Sequence, residues 1–240
     1  MSVIDDDILQ SIHDERCSQG LGGRWYGVFP GLVTDVRDPA GQGRVKVTLP
    51  WAADAGEDRF EAWARVATPG AGKQRGAWWI PDPGDEVLLA FESGHPLRPY
   101  VVGGLWNGKD APPAAMDGAG KNDLKVFCSR NGVKVTLDDA RGKERLVLET
   151  PGGQTITLVD GAAAIEIADS SGNSIKLEAG GITIQAAAKV KVSAPQVEVS
   201  APMIKLDAPM VKCSGVVKCE TLISTTVVST AYTPGAGNIW

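Results

Sequence analysis

Residues 194–213 read Ala-Pro-Gln-Val-Glu-Val-Ser-Ala-Pro-Met-Ile-Lys-Leu-Asp-Ala-Pro-Met-Val-Lys-Cys, and this stretch decides the fold. Ala194-Pro195, Ala201-Pro202 and Ala208-Pro209 recur every seven residues. After each come two apolar residues separated by one outward residue: Val197 and Val199, Ile204 and Leu206, Val211 and Cys213. An apolar/polar period of two puts one face of a strand in a core, and proline cannot donate to a sheet ladder, so each Ala-Pro marks a corner. Strands this short have no stability of their own. A fixed period with one small unit per repeat is the mark of a solenoid or fibre whose stacked units bury a continuous axial core.

The pattern runs backwards with lengthening corners through Val190/Val192, Ile182/Ile184, Ile175/Leu177, Ile165/Ile167, Ile156/Leu158, Leu146/Leu148 and Val133/Val135/Leu137. The early corners are turn-rich, as in Pro151-Gly152-Gly153 and Ser170-Ser171-Gly172-Asn173. Outward positions such as Lys189, Glu198, Lys205 and Asp207 mix both signs, which keeps that face soluble. No aromatic residue stands between Phe127 and Tyr232, which suits a thin core better than a globular one. One chain offering two inward residues per seven does not close a core alone. Three identical chains around a shared axis are therefore expected, with Ile175, Leu177, Ile182, Ile184, Val190, Val192, Val197, Val199, Ile204, Leu206, Val211 and Cys213 lining it.

At 240 residues one or two domains are expected, and no apolar run approaches the length of a spanning helix. The N-terminus, Met1-Ser2-Val3-Ile4-Asp5-Asp6-Asp7, has acid where a signal peptide needs base, which points to synthesis in the cytoplasm. The net charge of -5 argues against nucleic acid as a partner. Cys17, Cys128, Cys213 and Cys219 read as free thiols. Cys213 and Cys219 have inward parity, and either act as small buried hydrophobes or form a three-fold thiol ring that binds metal. Ile4, Ile8 and Ile12 place one apolar stripe on a short helix from Ile4 to about Cys17, which either frays or docks on a partner or a neighbouring subunit.

Between Trp25 and Trp106 the composition changes, and six of the seven tryptophans lie there. Alternating segments at 26–34, 44–49, 61–66, 87–91 and 100–105, separated by Gly/Pro turns, predict a small closed antiparallel barrel of the OB type. The expected domains are a tail over 1–24, the barrel over 25–108, a linker over 109–126, the stacked strands over 127–231 and a blunt tip segment over 232–240.

Specific motifs accompany these strands. Gly31-Leu32-Val33-Thr34-Asp35-Val36-Arg37-Asp38-Pro39, Gly43-Arg44-Val45-Lys46-Val47 and Trp63-Ala64-Arg65-Val66 precede Pro81-Asp82-Pro83-Gly84-Asp85-Glu86-Val87 and Arg98-Pro99-Tyr100-Val101-Val102-Gly103. These resemble the OB-fold of contractile-tail spike proteins: phage baseplate assembly protein V, the cell-puncturing phage spike, the VgrG proteins of type VI secretion and the spikes of extracellular injection systems. Asn131-Gly132, Pro151-Gly152-Gly153 and Gly172-Asn173-Ser174-Ile175 are similar to the start of their triple-stranded β-helix. The resemblance implies an all-β homotrimer, an OB-fold barrel followed by an intertwined triple-stranded β-helix, built into a phage tail or injection particle. It implies a hub partner at the barrel end, contacted by Trp25 and Arg98, and transient contact with a target membrane. Some relatives carry the hub domain themselves; only 24 residues precede the barrel here, so the hub is expected as a separate protein. A PAAR-type tip protein is expected at the other end, seated on Ile239 and Trp240, with a frayed terminus as the plain alternative.

The search for chemistry is otherwise negative. Pro69-Gly70-Ala71-Gly72-Lys73-Gln74 lacks the first glycine and the hydroxyl of a phosphate loop and reads as an exposed barrel loop. His13 and His95 stand apart with no ligand spacing, so no cofactor, metal or catalytic triad is expected, and the protein is expected not to be an enzyme. Asp5-Asp6-Asp7 reads as a solvated helix start. Arg98 reads as a surface residue or a hub contact. Two other classes share some of these features. A receptor- or glycan-binding tail fibre should show an aromatic-rich distal domain, and a nucleic-acid-binding OB module should show a basic groove.

Overall fold

A computed structural model of the chain describes residues 24–50, 60–160 and 164–230. These form two compact units that divide between residues 188 and 189. The first unit holds strands β1 (Val28–Asp35), β2 (Val45–Thr48), β3 (Glu61–Val66), β4 (Ala71–Gly72), β5 (Arg75–Gly76), β6 (Glu86–Phe91) and β7 (Pro99–Gly104). It continues through β8 (Leu124–Cys128), β9 (Lys134–Asp138), β10 (Arg145–Glu149), β11 (Thr155–Val159), β12 (Ala164–Ala168), β13 (Ser174–Glu178) and β14 (Gly181–Gln185). Among the described residues the helical content is one 3-10 turn, Glu92–Gly94.

Strands β1, β2, β3, β7 and β6 close into a barrel in that order. Closure falls to the parallel pair β3–β7, with Arg65 opposite Tyr100 and Val66 opposite Val101. All five expected barrel strands are present, and their inward residues Val33, Val45, Val47, Ala64, Val87, Leu89 and Val101 form the core. Trp25 plugs one end, 4.8 Å from the Phe60 ring and 5.0 Å from Phe91. An aromatic cluster there closes an opening that aliphatic side chains would leave open. Gly31 stands where β1 passes closest to the core, since a Cβ on it would lie 2.6 Å from Leu89 Cδ1.

The β1–β2 loop is organised by one carboxylate. Asp38 accepts hydrogen bonds from the backbone N–H groups of Ala40, Gln42 and Arg44, and from Arg44 Nε and Nη2 at 3.0 and 2.7 Å. Its side chain is 5% exposed, and the Arg44 guanidinium, with backbone donors helping, holds its carboxyl well below the usual carboxylate range. Trp78 lies over the same loop, and a Cβ on Gly43, whose φ is +71°, would meet its ring at 2.9 Å.

Strands β8 to β14 form one antiparallel meander in sequence order. Its first strand begins at Leu124, inside the stretch read as linker, because Leu124, Val126 and Cys128 pair with β9 although their apolar alternation is short. Three of its turns are near copies. Ser129, Thr150 and Asp169 each donate their N–H to the carbonyl four residues on, and each accepts at its side-chain oxygen from the N–H of that same residue. A glycine with φ near +85° follows at Gly132, Gly153 and Gly172, a conformation that a side chain would resist. The turns also stack. Gly132 faces Pro151, Gly153 faces Ser170, and Asn173 Oδ1 accepts from the Ala187 N–H at 2.9 Å.

Residues 186–230 form no strand within one chain. The short strands expected at Val190/Val192 and in each heptad are therefore not made by this chain with itself. The physical reason is length: a ladder needs a neighbour, and seven residues between prolines leave no return strand to supply one.

Candidate assembly surfaces

Registration across the meander gathers its apolar residues into two columns on one face. One runs Leu137, Leu146, Leu158, Ile165, Leu177, Ile182 and the other Val135, Leu148, Ile156, Ile167, Ile175, Ile184. Directly opposed apolar pairs on one face are the unit of sheet packing, but among the described residues nothing covers these. From Leu148 to Leu177 the exposed members of both columns keep 36–44% of their surface in water. An open groove of about 540 Å³ follows the first column, between Leu137 and Ile165, with Asp138, Glu144 and Arg145 at its margin. The opposite face is mixed, with Val126, Val147 and Val159 beside the ion pairs Lys134–Glu149 at 2.7 Å and Lys176–Glu166 at 3.3 Å. Such exposed pairs add little stability and serve solubility.

The inward series continues past the sheet with greater exposure. Ile182, Ile184, Val190, Val192, Val197, Val199, Ile204, Leu206 and Val211 are all 56–70% exposed, and Cys213 and Cys219 are exposed free thiols. So many exposed apolar side chains within each unit mark surfaces made for association.

The barrel residues singled out from sequence divide. Trp25 is 5% exposed with its ring in the core, so its size serves the barrel plug and leaves no ring surface for a hub. Arg98 is exposed on the β6–β7 connection, 3.7 Å from Glu92. Among the described residues the tryptophans that face water are Trp78, Trp79 and Trp106. The loop over residues 69–74 is an exposed hairpin formed by β4 and β5. Among the described residues no three His, Cys, Asp or Glu side chains gather as a metal site would need. Ile239 and Trp240, the segment 232–240, the stripe Ile4/Ile8/Ile12, Asp5-Asp6-Asp7, Cys17 and His13 lie outside the described residues.

A closed OB-type barrel followed by a sheet with one uncovered apolar face defines an assembly subunit, whose core is completed by other copies. Two family models match it. The type VI secretion system/phage-baseplate injector OB domain matches residues 29–106, and the phage baseplate V C-terminal trimerisation domain matches residues 145–205. Together they cover more than half of the chain, and the chain belongs to the contractile-tail spike family. It is similar to the type VI secretion system spike protein VgrG1a of Pseudomonas aeruginosa, 30% identical over 132 residues, which is 52% of this chain and 20% of the relative. Spike protein VgrG1b of the same organism is 31% identical over 121 residues, 48% of this chain and 16% of the relative. Spike protein VgrG3 of Vibrio cholerae is 31% identical over 128 residues, 49% of this chain and 13% of the relative. The chain thus spans a fifth or less of the length of these relatives.

Proposed function

We propose that this protein is the central spike of a contractile tail or injection baseplate. Three copies join through their meanders and heptads, the barrels dock on a separate hub at the tube end, and sheath contraction drives the needle into a target envelope. One observation carries this reading: two apolar columns and a heptad series lie open in a single chain whose residues 186–230 form no strand. Buried in a three-chain stack, each Val, Ile or Leu contributes on the order of 1.5–3 kcal/mol, and neighbouring chains complete the ladders that one chain cannot. The role is mechanical, and stiffness follows from a dry seam with a hydrogen-bonded layer at every step. The match to a trimerisation domain over residues 145–205 supports the same stoichiometry.

Arg98 with Trp78, Trp79 and Trp106 are the side chains we assign to the hub, and Ile239 and Trp240 those assigned to a PAAR-type tip. The particle, once assembled, meets the target membrane only during firing. Light scattering of the purified protein, with and without SDS at room temperature, tests the core of the proposal. A mass near three chains that survives SDS is expected; a monomer in buffer would overturn it.

A further inference from the structure

Strands β8 and β9 fall between the two family matches, the first of which ends at residue 106 and the second of which begins at 145. They nevertheless extend the apolar face of the meander. Val135 lies opposite Leu148 and Phe127 lies opposite Val135, so the second column starts at Phe127 on the edge strand β8. The first column starts only at Leu137 on β9. Its place on β8 is taken by Lys125, whose ammonium turns to the Asn122 carbonyl and to Asp139, 3.4 Å away. A cation at one position and a phenyl ring at the other mark β8 as the end layer of this face.

Phe127 is out of place on a single chain. Its side chain is 62% exposed, against 36–44% for the exposed column members from Leu137 to Leu177, and Val133 beside it is 51% exposed. A ring of that area gains much from being covered. It is also singular: the column positions from β9 onward hold Val, Ile and Leu, and no aromatic residue follows until Tyr232. The column it heads runs unbroken into the residues matched as a trimerisation domain, and that continuity names the occupant as further copies of this chain. A phenyl ring fits a shared axis where every chain offers the same wide layer. Slipped by a strand, it would meet a layer sized for Val or Leu and overpack it.

We infer that the seam between copies begins at β8, where the Phe127 rings of three chains meet at one level and fix the register of the layers that follow. The inference rests on the three-chain spike reading. p-Benzoylphenylalanine in place of Phe127 in the full chain keeps an aromatic ring there and reports its neighbours. Irradiation should yield boiled products of two- and three-chain mass, linked within residues 126–137 of the neighbouring copy. Products of one-chain mass alone, or interchain links elsewhere, would overturn the inference while an SDS-resistant parent of three-chain mass left the spike reading standing. A monomeric parent would overturn both. Hydrogen exchange of Phe127→Ser gives a second readout, because a ring this exposed has little to lose within its own chain. Amides of 124–138 should exchange about tenfold faster than in the parent, with those of 155–185 unchanged. Exchange at the parent rate throughout would equally overturn the inference.

Discussion

Asp38 shows how a loop of small residues becomes rigid. Its carboxylate satisfies three backbone donors and a guanidinium, and that pairing lowers its proton affinity in the folded state relative to an unfolded value near 3.9. The folded chain therefore binds fewer protons at this group than the unfolded chain, and its contribution is present above about pH 4 and lost as pH falls further. Thermal melts of the parent should drop between about pH 4 and pH 2 more steeply than those of Asp38→Asn, which should start lower at pH 7. Gly43 is held by the same loop. Gly43→Ala meets both the positive φ and the Trp78 ring, and should cost about 1–2 kcal/mol in chemical denaturation of the barrel. In the core, Leu89→Ala should cost about 2–5 kcal/mol by the same measurement, because a closed barrel collapses little around a void.

The strands of barrel and meander were legible from alternation alone, since each buries or presents one face and period two records that directly. Glu61–Val66 appears where its alternation placed it, and Ile156/Leu158 and Ile165/Ile167 fall on one face as their spacing required. What alternation does not encode is who covers that face. Trp25 was expected at a hub contact, and alternation says nothing of the barrel closure that buries its ring. Leu124–Cys128 was hidden by the Gly- and Asp-rich run before it. The heptads were recognisable as repeats, yet their ladder partners lie beyond a single chain. If the columns are a buried seam, Ile167→Lys should abolish SDS resistance while the barrel melts unchanged, whereas Lys176→Gln on the opposite face should leave both intact. Removing residues 201–207, one whole repeat, should keep SDS resistance, and removing four residues within it should destroy it, because only the first keeps the seven-residue spacing of the Ala-Pro corners.

Two ways of pairing coexist in the protein, one complete within a chain and one that needs companions. The barrel and the seven-stranded meander make their own ladders; residues 189–230 form a separate unit with none. Truncation after Ala188 should therefore retain the tryptophan signal of the barrel and lose resistance to SDS. A rod made only of heptads would carry an ambiguity, since three chains displaced by seven residues would find almost the same contacts. The stacked turns at Ser129, Thr150 and Asp169 are not interchangeable in this way: each has its own residues and stands a fixed number of strands from the barrel. A chain that folds its meander first has already numbered its layers before meeting another. Three such chains, joined sheet to sheet, would enter the repetitive region aligned, and the repeats need only propagate a count that was started elsewhere.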